Sequence, residues 1–293
     1  MGRQSGEQRA SDDQGPTPEG RGSGLVAAQP QVAVPSLIGM VHLPPLPGSP
    51  GFGGDLDAGI DRAIADAIRL RDAGFKALLI ENFGDAPFFA DRVPPITIAA
   101  MTRAVEAIIR STQLLVGVNV LRNDAIASVA IAAATGAGLI RVNVLTGVMY
   151  TDQGPIVGQA AAVARDRSLL CPDVAILADI FVKHASPPPG LSIEQAAQDT
   201  WDRGGADALV VSGPGTGSPP DLDEVLRLRK AVPEATIVVG SGVTVENLAA
   251  VASIADGAIV GTSVKIDGQV NNPVDPDRAK DTVRAAIGAG WIV

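Results

Sequence analysis

The chain has 293 residues, 46% of them hydrophobic and 19% charged, with a formal net charge of −9. An acidic chain lacks the clustered Lys and Arg that duplex phosphates require, which argues against a nucleic-acid partner. No uninterrupted apolar run reaches the 18 residues that a membrane-spanning helix needs, so no transmembrane segment is predicted. The single cysteine, Cys171, excludes an intramolecular disulfide and any CxxC zinc site, and suits a reducing cytoplasm. Aromatics are only 3%, so the core must be Ala, Val, Ile and Leu, as in helices packed on a sheet.

Residues 1–35 are polar and rich in Gly, Ser and Pro, with no apolar periodicity, and are expected to form a disordered tail. They also lack the apolar core of a secretory signal. The periodic pattern begins near Ser36, which leaves open whether Met1 is the native start. From there to residue 293 one domain is expected. Short, nearly continuous apolar runs recur at 37-LIGMVHL, 76-KALLIEN, 114-LLVGVN, 139-LIRVNV, 174-VAILADI, 207-DALVVS, 236-TIVVG and 257-GAIVG. That is how strands buried on both faces read. Helical spacing separates them, at 57–74, 95–110, 124–135, 155–167, 192–204, 221–231, 244–253 and 275–288. Asp124, Ser192 and Thr244 are placed as N-caps, and Gly74 and Gly136 as C-terminal stops. Eight strand–helix units over about 250 residues predict a (β/α)8 TIM barrel, an α/β fold. The structural alternative, an open doubly wound sheet, more commonly carries GxGxxG after its first strand; here Leu43-Pro44-Pro45 follows.

Barrel enzymes place their chemistry where strands end. His42, Glu81 with Asn82, Asn119, Arg141 with Asn143, Asp179 with Lys183 and His184, Ser212, Ser241 and Thr262 stand at those ends. The candidate catalytic set is His42, Glu81, Asp179, Lys183 and His184. Imidazoles work as acid or base near neutrality. Lys183 suits either anion stabilisation or, if desolvated, Schiff-base chemistry. Asn82, Asn119, Asn123, Asp124, Arg141 and Asn143 are candidate substrate-binding residues; for most of them a purely structural role at the barrel mouth is the alternative, and for Asp124 a helix cap. Glycine-rich turns after strands seven and eight frequently build phosphate sites in this fold. Backbone amides can approach an anion closely there. Gly240, Ser241, Gly242, Gly261, Thr262 and Ser263 are therefore candidate phosphate ligands, with Gly213 and Gly215 in the loop after strand six. A divalent metal bridging His42, Glu81, Asp179 and His184 is possible, although Met40 replaces the first His of the HxH pair of metal-dependent barrel hydrolases; no cofactor is otherwise indicated. The turn at Asp152-Gln153-Gly154 faces the same end or is a plain β-turn.

The strings 39-GMVHLPPLPGSP, 80-IENFGDAPF, 117-GVNVLRND, 141-RVNVLTG, 151-TDQGPIVG, 182-VKHASP, 212-SGPGTGSPPD, 238-VVGSGVTVEN and 260-VGTSVKIDG together resemble the BtpA/SgcQ family. The resemblance runs from about Ser36 to Ile287 and implies a barrel of the ribulose-phosphate-binding kind. It implies no settled reaction: the founding member is linked to photosystem I biogenesis, and another lies in a sugar-catabolism gene set. Residues 180–181 of this chain are less polar than is usual in the family. Three readings follow. One is an enzyme using acid–base chemistry (isomerase, lyase or glycosyl-bond cleavage) on a small phosphorylated sugar or nucleotide-like metabolite. The others are a non-catalytic assembly factor and a phosphometabolite sensor. A homo-oligomer is possible.

Overall fold

The computed structural model describes residues 1–2, 33–213, 215 and 221–291. Most of the predicted tail, residues 3–32, lies outside the described residues, as does most of the loop after the sixth barrel strand. Eight parallel strands close into a barrel. In chain order they are β1 (Leu37–His42), β2 (Ala77–Glu81), β3 (Leu115–Asn119), β4 (Leu139–Val142), β7 (Ala175–Ile180), β9 (Ala208–Val211), β10 (Ile237–Val239) and β11 (Gly257–Val260). Every apolar run read from the sequence is one of these strands, and the predicted TIM barrel is the observed fold.

Between them run α1 (Leu56–Ala73), α2 (Pro95–Thr112), α3 (Ala125–Thr135), α4 (Ala160–Leu170), α5 (Ile193–Gln198), α6 (Leu222–Ala231), α7 (Leu248–Ala252) and α8 (Pro276–Gly288). Asp124 caps α3 by accepting from the Ala127 amide at 2.9 Å, and Ser192 caps α5 through Gln195. Three expectations need correction. The helix predicted from residue 155 starts at Ala160, because the preceding segment is a hairpin: β5 (Val148–Thr151) pairs antiparallel with β6 (Gly154–Val157). Its alternation of apolar and polar residues about Asp152-Gln153 has the period of a strand, not of a helix. A two-residue strand, β8 (Ala185–Ser186), completes that small sheet by pairing with β5. The helix predicted over 244–253 forms only from Leu248, and Thr244 is no N-cap; its amide instead donates to Asn247 Oδ1 at 2.9 Å. The predicted 192–204 helix loosens after Gln198 into a π-helical turn over Asp199–Arg203.

Side chains alternate across a strand, and here the alternation decides where chemistry goes. Outward residues such as Leu37, Val41, Leu78, Ile80, Ile140 and Ile176 pack under the helices. Inward residues such as Ile38, Met40, Ala77, Leu79, Leu139, Leu177, Val210, Val238 and Ile259 fill the lumen. The same parity, continued to the C-terminal rim, turns His42, Glu81, Asn119, Arg141, Asn143, Asp179 and Ser212 into the barrel. The polar mouth is thus the top layer of an otherwise apolar core.

Candidate functional site

Arg141 occupies the centre of the mouth and is 1% exposed. Its Nε donates to Asp179 Oδ1 at 3.0 Å and its Nη2 to Asp179 Oδ2 at 3.1 Å, a two-pronged buried ion pair. Burial alone would pull its pKa down; Asp179 and then Glu81 outweigh that and hold it above the usual arginine value. Asn143 Nδ2 also donates to Asp179 Oδ2, at 2.7 Å. Both oxygens of Asp179 are therefore occupied, which suits holding Arg141 and Asn143 in place. Asn119 Nδ2 donates to Glu81 Oε2 at 2.6 Å.

His42 closes β1 with its ring centroid 4.8 Å from that of Phe83. Its Nδ1 is buried without a hydrogen-bond partner. Burial, then the charges of Lys265, Lys183 and Arg141, drive its pKa down to about 3, so the imidazole is neutral. Lys183 is half-buried beside these groups. Burial and then Arg141 lower its pKa, with Glu81 and Asp179 opposing.

These four side chains, His42, Glu81, Arg141 and Lys183, line a cavity of about 620 Å³. The pair of glycine-rich turns, 240–244 and 261–263, lines the same cavity. The two glycines at the strand ends have a further use. A Cβ on Gly240 would stand 2.5 Å from Val210 Cγ1 and 3.2 Å from Arg141 Nη2, and one on Gly261 would stand 3.1 Å from His42 Cε1. Their bareness makes room for the charged centre as well as for the turn. Gly242 adopts φ +71°, the left-handed region open to glycine. The turn is stapled by Asn247, whose Nδ2 donates to the Gly242 carbonyl at 2.8 Å. Ser241 Oγ accepts from the Gly213 amide at 3.2 Å, and Ser263 Oγ donates to the Val243 carbonyl at 2.7 Å, tying the two turns together. Among the described residues, no acceptor pairs with the amides of Ser241, Gly242, Thr262 or Ser263.

Other expected site residues are engaged elsewhere. Asn82 Oδ1 accepts from the Leu121 amide at 2.7 Å while its Nδ2 donates to Asp85 at 3.0 Å. Asn123 brackets Val144, donating to its carbonyl at 3.0 Å and accepting from its amide at 2.7 Å. Asp124, besides capping α3, accepts from the Val93 amide at 2.9 Å. These three fasten rim loops to one another and do not border the large cavity. Gly213 and Gly215 lie outside its lining too. His184 is exposed, with φ +58°; it lies beside Arg122 and Asp152 and also borders a smaller cavity together with Glu81, Arg141 and Lys183. Burial and the charges of Lys183 and Arg122 lower its pKa.

Of the four side chains considered for a metal, Glu81 is held by Asn119 and Asp179 by Arg141. Among the described residues, no group of three His, Cys, Asp or Glu side chains is gathered to hold an ion. Sequence reasoning missed Arg278, Asp281 and Thr282 in the first turns of α8, which border the glycine turns. Their i, i+3, i+4 spacing places them on one helix face, a signal available beforehand had the partner of that face been known.

A sequence model described as the BtpA family matches residues 34–288, nearly the whole described chain. The chain belongs to the BtpA family. Relatives include a Thermococcus kodakarensis protein, 48% identical over 252 residues (85% of this chain, 94% of that one). The photosystem I biogenesis protein BtpA of Synechocystis is 45% identical over 249 residues (85% and 87%). The putative sgc region protein SgcQ of Escherichia coli is 33% identical over 246 (83% and 91%). The BtpA-family barrel also resembles two solved structures in fold alone. A structure described as native KDPGal has a TM-score of 0.57 at 19% identity, covering 89% of this chain and 98% of that one. The 3-hexulose-6-phosphate synthase of Salmonella typhimurium has a TM-score of 0.54 at 15% identity, covering 87% and 99%. No helix among the described residues is long and apolar enough to cross a membrane.

Proposed function

We propose that this BtpA-family barrel is an enzyme acting by acid–base chemistry on a small phosphorylated sugar or nucleotide-like metabolite. The observation that carries the reading is a cavity lined both by Ser241, Gly242, Thr262 and Ser263, whose amides meet no acceptor among the described residues, and by His42, Glu81, Arg141 and Lys183. Bare amides in glycine turns bind anions, and Arg278 adds a cation to the same lining. A volume of about 620 Å³ fits a small metabolite. The name of the Salmonella neighbour, a hexulose-phosphate synthase, accords with such a ligand.

Glu81 supplies a carboxylate able to move a proton, and neutral His42 an imidazole able to accept a hydrogen bond. Arg141 stabilises negative charge developing on substrate oxygen, while Asp179 and Asn143 hold Arg141 and the rim. Thermal unfolding against inorganic phosphate and a panel of sugar phosphates and nucleotides, with and without divalent cations, tests the reading. A rise in melting temperature with phosphate and a larger one with a sugar phosphate is expected; no shift with any anion overturns it.

The name of the Synechocystis relative favours a second reading, a biogenesis factor that binds without chemistry. It predicts phosphometabolite binding, or none, with no turnover of any bound ligand.

A further inference from the structure

The chain has five lysines, and four are accounted for by position. Lys76, Lys230 and Lys280 are exposed. Lys265 is buried with its Nζ 2.6 Å from Asp66 Oδ2. Lys183 differs from all of them, because it lines the charged cavity and, among the described residues, forms no ion pair and donates no side-chain hydrogen bond. The nearby carboxylates are committed, Asp179 to Arg141 and Asn143, and Glu81 to Asn119.

The backbone around it is constrained. Phe181 and His184 have φ of +52° and +58°, a conformation that non-glycine residues adopt at a cost and that concentrates where side chains are held for function. The Lys183 carbonyl accepts a hydrogen bond from Arg122 Nη2, and Ala185–Ser186 pairs with β5. The loop thus presents the amine to the cavity from a pinned main chain.

We propose that Lys183 is a nucleophile whose amine adds to the carbonyl carbon of an open-chain aldose or ketose phosphate and forms an iminium. This deepens the preceding reading and rests on its phosphate-bearing ligand. The Nζ lone pair forms the C–N bond while the carbonyl π pair moves to oxygen, which takes up a proton. A proton then passes from nitrogen to that hydroxyl, which departs as water from the carbinolamine and leaves the iminium. The iminium acidifies the neighbouring C–H, and the Glu81 carboxylate in the same cavity takes that proton to give an enamine. Reprotonation and addition of the released equivalent of water return a carbonyl compound and the free amine, so no external oxidant or reductant is consumed. The depressed pKa of Lys183, from burial and Arg141, raises the fraction of amine available for attack.

Borohydride delivers hydride to an iminium and fixes it as a secondary amine. The full-length protein is treated with sodium borohydride and dihydroxyacetone phosphate, glyceraldehyde 3-phosphate or ribulose 5-phosphate in turn, then weighed intact and mapped by peptide mass. The expected result is one adduct per chain on the Lys183 peptide with at least one of these probes, absent in Lys183→Arg and reduced about tenfold or more by excess inorganic phosphate. No adduct with any probe, or label spread over Lys76, Lys230 and Lys280, overturns the proposal. Lys183→Met is a second variant should Lys183→Arg fail to fold; if neither folds, the wild-type peptide map decides. A phosphate-dependent rise in melting temperature without any adduct sinks the amine but leaves the anion site standing. A Lys183 adduct with neither a shift nor protection by phosphate sinks the anion site instead.

Discussion

Arg141 and Asp179 are both buried and meet in a two-pronged pair, so an Asp179→Asn variant does not report on proton transfer alone. Removing one partner of a buried pair leaves an uncompensated charge and costs about 3–5 kcal/mol. Asp179→Asn is therefore expected to lose that much stability in urea unfolding along with any activity, whereas Glu81→Gln should lose activity with a far smaller stability change. His42 gives a pH signature. Its folded pKa of about 3 lies below the ordinary histidine value, so between roughly pH 6.5 and 3 the unfolded chain binds a proton that the folded chain does not. Stability from this residue is complete above about pH 6.5 and declines as the pH falls, by at most about 1.4 kcal/mol per pH unit. His42→Gln should flatten the unfolding free energy over pH 6.5–4 relative to wild type; an unchanged slope would refute the neutral buried imidazole. Their position at the ends of the apolar runs made His42, Glu81, Arg141 and Asp179 legible in the sequence. The work of Asn82 and Asn123 was not, because their backbone partners lie 39 and 21 residues away and nothing local marks that pairing.

At the scale of elements, the turn that carries Thr262 and Ser263 is anchored by Lys265. Its ammonium reaches Asp66 on α1, whose other oxygen accepts from the Val274 amide at 2.8 Å and from Arg69 at 2.9 Å. Burial lowers the Lys265 pKa, with Asp66 opposing. Lys265→Met is expected to lower the urea midpoint, by less than loss of a sole partner would because Arg69 and the Val274 amide still hold Asp66, and to weaken phosphate binding measured by calorimetry. Gly240→Ala tests the other turn. Its Cβ would overlap Val210 and crowd Arg141, an overpacking that costs about 1–3 kcal/mol. An unaltered denaturation midpoint for that variant would show that the strand end has room to yield. The strands were readable because each is a short apolar run bounded by turn residues. The hairpin over 148–157 was not, because Ala-rich sequence just downstream extends a helical pattern backward through it. The shortening of α7 was hidden for a related reason: only the folded turn shows Asn247 bound back to Gly242 and Thr244.

For the molecule as a whole, a ligand bound only to the native state stabilises it by mass action, about 2.7 kcal/mol at a hundredfold excess over Kd. For a domain of this size that corresponds to a rise of roughly 5–11 °C, well within a thermal scan. Raising Gly261→Val against His42 should abolish the phosphate-dependent part of that rise. The small sheet beside the mouth has its own consequence. Its β5 strand joins the hairpin to the segment following Lys183 through Tyr150–Ser186 and Thr151–Ala185, so one flank of the opening is roofed by paired backbone. For a ligand seated as proposed, the barrel works as a gauge: the count of carbons between phosphorus and carbonyl decides whether the reactive atom arrives at the amine.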